Sequence, residues 1–352
     1  CVVVKLVVKD FGPFGEAEVE LKPLTIFIGR NSVGKSMLAY LIWALTLALP
    51  RPAGLERAIV ETRGNRALEA VIDKASRGEE FKEELTELMD AAISALPKAL
   101  TPRIEEALKS VFASDPSELI REGADYATIA LKGERASIEI AINRGGVDVS
   151  IEGPSVTEFV SKIETSRGEI TISYIGYTIR FKGHITRFGI IDLLHTFVST
   201  YVLLTLGGLF SKLVPYPEFS SALLPDSRAG ISRTLLRPYI PITIATPDRQ
   251  YVELYYVLAE GVARGGVDLA AVEPLLSEMG CSVEPVFEEG VYTMHIKTWS
   301  GKRLRLPQAP SGIREVLTVA LALSSSGPPR VVIIEEPEAH LHPRAQGALA
   351  RL

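Results

Sequence analysis

The sequence is poor in cysteine and has no excess of positive charge. Its two cysteines, Cys1 and Cys281, are too few for a disulfide framework and cannot form a structural zinc site by themselves. Because 38 basic side chains face 43 acidic ones, the net charge of −5 excludes a generally basic protein that coats nucleic acid, although it leaves room for a local basic groove. We therefore expect a reducing, cytoplasmic setting.

The first residues also show none of the charged, apolar and small-residue pattern of a secretory signal peptide, so we do not expect one. The sequence begins without Met in a strand-like run, and it ends at Leu352 without the residues typical of a turn or helix cap. We expect a fragment or a processed chain. With 47% apolar and 23% charged residues over 352 positions, the composition is globular and excludes disorder, collagen and long coiled coils.

The spacing of apolar residues predicts alternating regions of strand and helix. Period-two alternation predicts two strands within residues 1–21, and an apolar run over residues 24–28 predicts a third. Helical spacing marks residues 55–122, and alternation returns as an antiparallel meander over residues 126–183. Four consecutive β-branched residues, Val331–Ile334, predict a strand that is buried on both faces of a parallel sheet.

The last third also shows a Pro-rich segment, marked by Pro238, Pro241 and Pro247. Beyond it the pattern predicts three helices, at about 250–263, 268–279 and 312–323. It also predicts a hairpin at about 283–306. We expect five parts in the whole chain: residues 1–50, 51–125 (helical insertion), 126–187 (antiparallel β subdomain), 188–235 (helical segment) and 236–352.

A long uncharged segment over residues 188–214 has nearly the length of a membrane span, because no charged residue lies between Asp192 and Lys212. Its apolar residues nevertheless form one stripe, and His195 and the threonines would be costly in lipid. The stripe consists of Ile190, Leu194, Phe197, Tyr201 and Leu204. We therefore predict a buried amphipathic helix rather than contact with a membrane.

Eight consecutive residues fit the phosphate-binding pattern G-x-x-x-x-G-K-[ST]. They are Gly29, Arg30, Asn31, Ser32, Val33, Gly34, Lys35 and Ser36. Glycines let the backbone curl so that successive N–H groups face a phosphate, and the following helix presents its positive end to the same anion. The pattern predicts ATP binding, with Lys35 bridging the β- and γ-phosphates and the Ser36 hydroxyl on Mg²⁺.

Two carboxylates follow the predicted strand Val331–Ile334. Phosphoryl-transfer folds hold Mg²⁺ at such a strand end, so Glu335 is the candidate on the metal side and Glu336 the candidate that activates water. His340 and His342 lie just beyond, but no HExxH motif or cysteine partner accompanies them. We favour a loop or subunit-contact role for them over zinc ligation.

Together these segments resemble the ABC-type P-loop ATPases of the RecF, SMC and OLD (overcoming lysogenization defect) group. The resemblance rests on residues 10–36, which look like the N-terminal part with the Walker A loop, and on residues 335–343, which are similar to the Walker B and D-loop of the OLD-like branch. It implies an α/β P-loop NTPase fold with a mixed sheet. An antiparallel β subdomain and a helical insertion would separate Lys35 from Glu335.

The resemblance also implies a signature loop and a dimer. Ser311 and Gly312 open a helix where that loop should lie, and they would contact the γ-phosphate held by a second subunit. A plain helix N-cap is the alternative for Ser311. The Q-loop glutamine stays unassigned between Gln250 and Gln308, and the chain ends before the strand that carries the switch histidine of the family.

The resemblance further implies ATP hydrolysis with Mg²⁺ and an ATP-dependent homodimer. It raises DNA repair, defence or nucleic-acid processing as roles, with DNA and a nuclease or other effector as partners. The basic candidates Arg57, Arg63 and Arg66 are scattered among acids, which favours a solvated helix surface. Two alternatives stay open: a transport-coupled ATPase subunit, and a nucleotide-gated binding module with little turnover.

Overall fold

The computed structural model describes residues 4–49, 54–61, 64–166, 168–174, 177–183, 185–206, 221–236, 246–327 and 331–352. The chain divides into two compact units, Cys1–Val214 and Pro215–Leu352.

The first unit contains a five-stranded antiparallel sheet in the order β2-β1-β3-β4-β5. Its strands are β1 (Val4–Phe11), β2 (Phe14–Leu21), β3 (Tyr126–Lys132), β4 (Ser137–Asn143) and β5 (Gly146–Glu152). Alternate residues of β3 and β4 are buried, as expected for a sheet with one face on the core. The predicted hairpin at the start of the chain is confirmed.

A second sheet in this unit has three antiparallel strands, β6 (Val160–Ser166), β7 (Glu169–Tyr174) and β8 (Tyr177–Lys182). The prediction of one continuous meander over residues 126–183 is therefore wrong. A short helix interrupts it after Pro154, where the Ser155 N–H donates to Glu158 Oε2 over 2.8 Å. This capping contact turns the chain out of the first sheet.

Six helices accompany these sheets in the described part of the first unit: α1 (Lys35–Ala48), α2 (Leu55–Glu61), α3 (Gly64–Arg77), α4 (Lys82–Phe112), α5 (Val156–Phe159) and α6 (Arg187–Leu206). The helical prediction for residues 55–122 is confirmed by α2, α3 and α4. Buried residues recur on α4 at helical spacing, as at Leu85, Leu88, Leu96 and Leu100.

The apolar helix α6 is buried in the first unit, as predicted. Ile190, Leu194 and Phe197 are fully buried, and the Tyr201 hydroxyl donates to the carbonyl of Pro154 over 2.9 Å. In the described part of the chain, α6 alone is long and apolar enough to cross a membrane, but 65% of its most apolar window is buried within the protein. Residues 207–214 of the predicted segment lie outside the described residues.

The predicted strand over residues 24–28 is not formed. The structure assigns no regular secondary structure there, and Leu24, Ile26 and Ile28 are 77%, 70% and 88% exposed. An apolar run becomes a strand only when its backbone pairs with a neighbour, and neither sheet of this unit includes it.

The second unit combines two sheets and five described helices. Its strands are β9 (Ser221–Leu224), β10 (Cys281–Glu288), β11 (Val291–Thr298), β12 (Arg303–Arg305) and β13 (Val331–Ile334). Its helices are α7 (Arg228–Ile231), α8 (Thr246–Ala263), α9 (Leu269–Glu278), α10 (Ser311–Leu323) and α11 (Pro343–Leu349). The predictions of α8, α9, α10 and the β10–β11 hairpin are confirmed; Pro238 and Pro241 lie outside the described residues.

The strand β13 pairs in parallel with β9, which sequence analysis did not identify. The four residues of β13 are half-buried, so the prediction of burial on both faces is wrong. In the described part of the chain β9 is the single neighbour of β13 in its sheet, and a two-stranded sheet cannot enclose a strand.

Buried tyrosines of α8 join this helix to its neighbours in the second unit. The hydroxyl of Tyr251 is 3.1 Å from Thr318 Oγ1 on α10, and the Tyr255 hydroxyl accepts the N–H of Met294 on β11 over 2.8 Å. Burial raises the pKa of Tyr251 to about 12, so its hydroxyl stays protonated and able to donate. These contacts fix α10 against the core.

Candidate nucleotide-binding site

The loop over residues 29–36 has the backbone of an anion-binding turn. Gly29, Ser32 and Gly34 have φ values of 153°, 63° and 95°, in the region that favours glycine. Gly34 caps α1, which begins at Lys35 with no side-chain cap and no acidic residue in its first turn. The positive end of the helix dipole is therefore not neutralised from within the helix and faces the loop.

Lys35 folds back over this loop. Its Nζ donates to the carbonyl of Gly29 over 2.9 Å and to that of Arg30 over 2.7 Å. The ammonium thus lies across the open side of the turn, where a phosphate would compete with the two carbonyls for its protons. Ser36 is exposed beside it, with its hydroxyl accessible.

The β1–β2 turn packs against the loop 29–36. A Cβ at Gly34 would lie 2.4 Å from Phe14 Cζ and 2.7 Å from Pro13 Cγ, so the turn packs directly against the glycine backbone. The residues 11–14 between the first two strands therefore position the loop, in addition to ending the hairpin.

We expect Gly34→Ala to destabilise the first unit by about 2–4 kcal/mol, because a left-handed φ is strained for alanine and the new methyl would overlap Phe14. Gly54 has a φ of 76°, and a methyl group added there would have nothing within 4 Å, so Gly54→Ala isolates the backbone cost of about 1 kcal/mol. Denaturant unfolding followed by the fluorescence of the buried Trp43 measures both. Equal losses would mean that the Phe14 contact is unimportant.

The acidic residues lie in a turn at the carboxyl end of β13. The Glu335 N–H donates to the carbonyl of Leu224 over 3.0 Å and extends the pairing with β9, and the Ala339 N–H donates to the carbonyl of Glu336 over 3.0 Å. Glu335 is half-buried, whereas Glu336 is exposed. Glu336 and His340 have φ values of 41° and 59°, which are uncommon for residues other than glycine.

The start of α10 contacts the same turn. A Cβ at Gly312 would lie 2.8 Å from the carbonyl oxygen of His340, so the two backbones approach closely. Ser311 is the first residue of the helix and Pro310 holds the cap position, which rules out the N-cap interpretation of Ser311. Ser311, Gly312, Glu335 and Glu336 are thus grouped in the second unit, whereas residues 29–36 belong to the first.

A buried arginine that the sequence pattern did not indicate contacts this turn. Arg228 donates to the main-chain carbonyls of Glu335 over 2.7 Å and Glu336 over 3.1 Å, and it forms an ion pair with Glu315 at 3.2 Å. Its side chain is fully buried. A single arginine at the start of a four-residue helix gives no local pattern, so the sequence offered no signal for it.

Two more carboxylates were missed at the same sheet edge. Asp226 follows β9 as Glu336 follows β13, since Leu224 pairs with Ile334. The pKa of Asp248, at the start of α8, is raised mainly by burial and further by the negative charge of Asp226. The signal that could have revealed Asp226 was the apolar run Ser221–Leu224 followed by an acid, which repeats the pattern of the second strand end.

His342 has a structural role in this turn. His342 Nδ1 accepts the N–H of Arg344 over 3.4 Å and caps α11. Within the described ranges, no group of three or more His, Cys, Asp or Glu side chains could hold a metal ion. The oxygens of Ser36 and Glu335 are hard donors of the kind that suits Mg²⁺, which also takes ligands from phosphates and water.

The remaining sequence candidates have ordinary partners or stay unassigned. Gln308 Oε1 accepts the N–H of Arg305 over 3.0 Å, and Gln250 Oε1 is buried without a hydrogen-bond partner in the described part of the chain, so neither is assigned as the Q-loop residue. Arg57 is exposed and pairs with Glu61 at 2.9 Å, as a solvated helix surface would. Arg66 is exposed, and Arg63 lies outside the described residues.

A glycine-rich loop that leads into a helix is typical of P-loop nucleotide-binding proteins, and so are carboxylates at the end of a parallel strand. The family described as "AAA domain, putative AbiEii toxin, Type IV TA system" matches residues 132–352, more than half of the chain. The chain belongs to this family of P-loop ATPase domains with an α/β fold. The match includes Glu335 and Glu336 and leaves out the loop 29–36. No curated protein matches the chain significantly.

Proposed function

We propose that the chain is an ABC-type ATPase head of the RecF, SMC and OLD-like group, which binds ATP with Mg²⁺ and hydrolyses it. The observation that carries the proposal is the loop 29–36, where Lys35 lies across a turn at the start of α1. This helix has no side-chain cap and no acidic residue in its first turn. Such a turn presents main-chain N–H groups, a helix dipole and one ammonium to a single anion.

In this proposal the first unit binds the triphosphate. The N–H groups of residues 29–36 and the start of α1 hold its oxygens, and Lys35 exchanges the carbonyls of Gly29 and Arg30 for the β- and γ-phosphates. Ser36 would hold Mg²⁺, which neutralises charge on the phosphate oxygens when bound, and Glu335 is the metal-side candidate within the second unit.

The second unit supplies the groups that act on the γ-phosphate. Glu336 accepts a proton from the attacking water, and the hydrogen bond from Arg228 to its carbonyl fixes its main chain. Ser311 and Gly312 would bind the γ-phosphate held by a second copy of the chain, which makes ATP binding and dimerisation interdependent.

A second candidate function is a nucleotide-gated binding module with little turnover. The exposed position of Glu336 favours this second function, because a water-activating carboxylate works best where bulk water is excluded. The transport-coupled alternative loses its main support, since α6 is buried within the first unit.

The experiment that separates the two candidates is single-turnover hydrolysis of radiolabelled ATP by the full chain, with Mg²⁺ or with a chelator. We expect phosphate release with Mg²⁺ and essentially none with the chelator, together with ATP-dependent dimerisation in size-exclusion chromatography with light scattering. Dimerisation without phosphate release would refute the ATPase and identify a binding module. The absence of both, and of any nucleotide binding, would refute both functions.

A further inference from the structure

The guanidinium of Arg228 joins three pieces of the second unit. It donates to the ends of both parallel strands and to α10, and its acceptors are the carbonyls of Leu224, Pro225, Glu335, Glu336 and Glu315. The Glu315 carboxylate pairs with it and also accepts the N–H of Ala229 over 2.9 Å. The side chain of Arg228 is fully buried and that of Glu315 is 3% exposed, so the ion pair itself is shielded from water.

We propose that Arg228 and Glu315 form a positioning pair that couples the start of α10 to the main chain of Glu335 and Glu336. The inference rests on the proposed function, because it assigns to the pair the alignment of the water-activating carboxylate. Neither residue is placed against the nucleotide. The pair acts through the backbone of the two glutamates.

The energetics argue that this network does more than stabilise the fold. Burying two charges is costly, and apolar replacements of a buried ion pair are often as stable as the pair itself. Burial lowers the pKa of Arg228 from its usual value, and the nearby Glu315 carboxylate opposes that shift. An apolar core could not donate hydrogen bonds to several carbonyls that lie in different directions. The planar guanidinium can, because its N–H groups point in fixed and different directions.

The network also explains the backbone of Glu336. A φ of 41° is strained for glutamate, and Arg228 Nη2 holds the carbonyl of that residue over 3.1 Å. Glu315 lies three residues after Gly312, and its neighbour Arg314 donates to the carbonyls of Ala309 and Ala229. When Ser311 and Gly312 engage a phosphate, any shift of α10 therefore reaches Glu336 through Glu315 and Arg228.

The test combines Arg228→Lys, which keeps the charge but loses the planar fork, with Glu315→Gln, which keeps an oxygen for the Ala229 N–H but loses the charge. In full-length protein, we expect hydrogen exchange at the amides of 335–341 and 311–316 to rise about tenfold, with that of β10–β11 unchanged. We expect the single-turnover rate of ATP hydrolysis to fall about tenfold and the affinity for ATP to change less than about twofold. Arg264→Lys, an exposed arginine paired with Glu260, is the control and should change nothing.

Faster exchange throughout the second unit, including β10–β11, would overturn the inference and leave Arg228 as a general stabiliser of the fold. Unchanged exchange at 335–341 would also overturn it, as would a weaker affinity for ATP with an unchanged rate. If the wild-type chain releases no phosphate, the proposed ATPase fails. The exchange measurement then still decides whether Arg228 couples α10 to the acidic turn.

Discussion

Replacing Lys35 with alanine should weaken ATP binding about a hundredfold, the largest effect on affinity that we expect from a single substitution. The change removes the one ammonium that lies across the loop 29–36, and charge-assisted hydrogen bonds to phosphate are about twice as strong as neutral ones. Isothermal titration or a fluorescent ATP analogue measures the affinity of the full chain.

Lys35 also ties the loop together through the carbonyls of Gly29 and Arg30, so the variant needs a stability control. Unfolding followed by Trp43 fluorescence should show little change, because most of the loop is exposed and Lys35 is only half-buried. Lys22→Ala removes an exposed lysine from the preceding segment, where it pairs with Glu20 at 3.1 Å, and should leave affinity unchanged. Equal affinities for Lys35→Ala and wild type would show that the loop does not bind the triphosphate.

Glu336→Gln should slow ATP hydrolysis about a thousandfold while leaving ATP affinity nearly unchanged. The amide keeps the size of the side chain but cannot accept a proton from water, and a general base contributes about two to four orders of magnitude to a rate. ATP should therefore accumulate on the protein, and the proposed dimer should persist. Single-turnover hydrolysis and light scattering measure the two effects.

Glu338→Gln provides the matched control, because Glu338 is exposed in the same turn and two residues away. It should hydrolyse ATP at the wild-type rate. A Glu336→Gln variant that bound ATP and hydrolysed it as fast as wild type would remove Glu336 from the mechanism, whatever the behaviour of the control.

The features that sequence predicted well are those decided by local chemistry. The helix after Lys35 follows from a loop pattern that fixes its own backbone, and the helices over residues 55–122 follow from apolar spacing alone. The acidic turn after Val331–Ile334 was likewise predictable from the sequence, since four β-branched residues followed by two carboxylates mark the end of a strand.

What sequence could not predict depends on partners distant in the chain. Whether residues 24–28 form a strand depends on a neighbouring backbone, and the two sheets of the first unit leave them unpaired. The strand β9 is only four residues long, and its pairing with β13 joins segments more than a hundred positions apart. The contacts of Arg228 could not be predicted for the same reason, because its hydrogen-bond acceptors come from separate parts of the second unit.

The central claim is that the loop 29–36 binds the triphosphate of ATP together with its Mg²⁺, and iron-directed cleavage tests it most directly. In this experiment Fe²⁺ replaces Mg²⁺ in the presence of ATP. Peroxide and ascorbate then cut the backbone near the bound metal, and mass spectrometry locates the cuts. An ATP-dependent cut is expected near Ser36, and it should vanish in Lys35→Ala. The absence of an ATP-dependent cut near Ser36 would contradict the account.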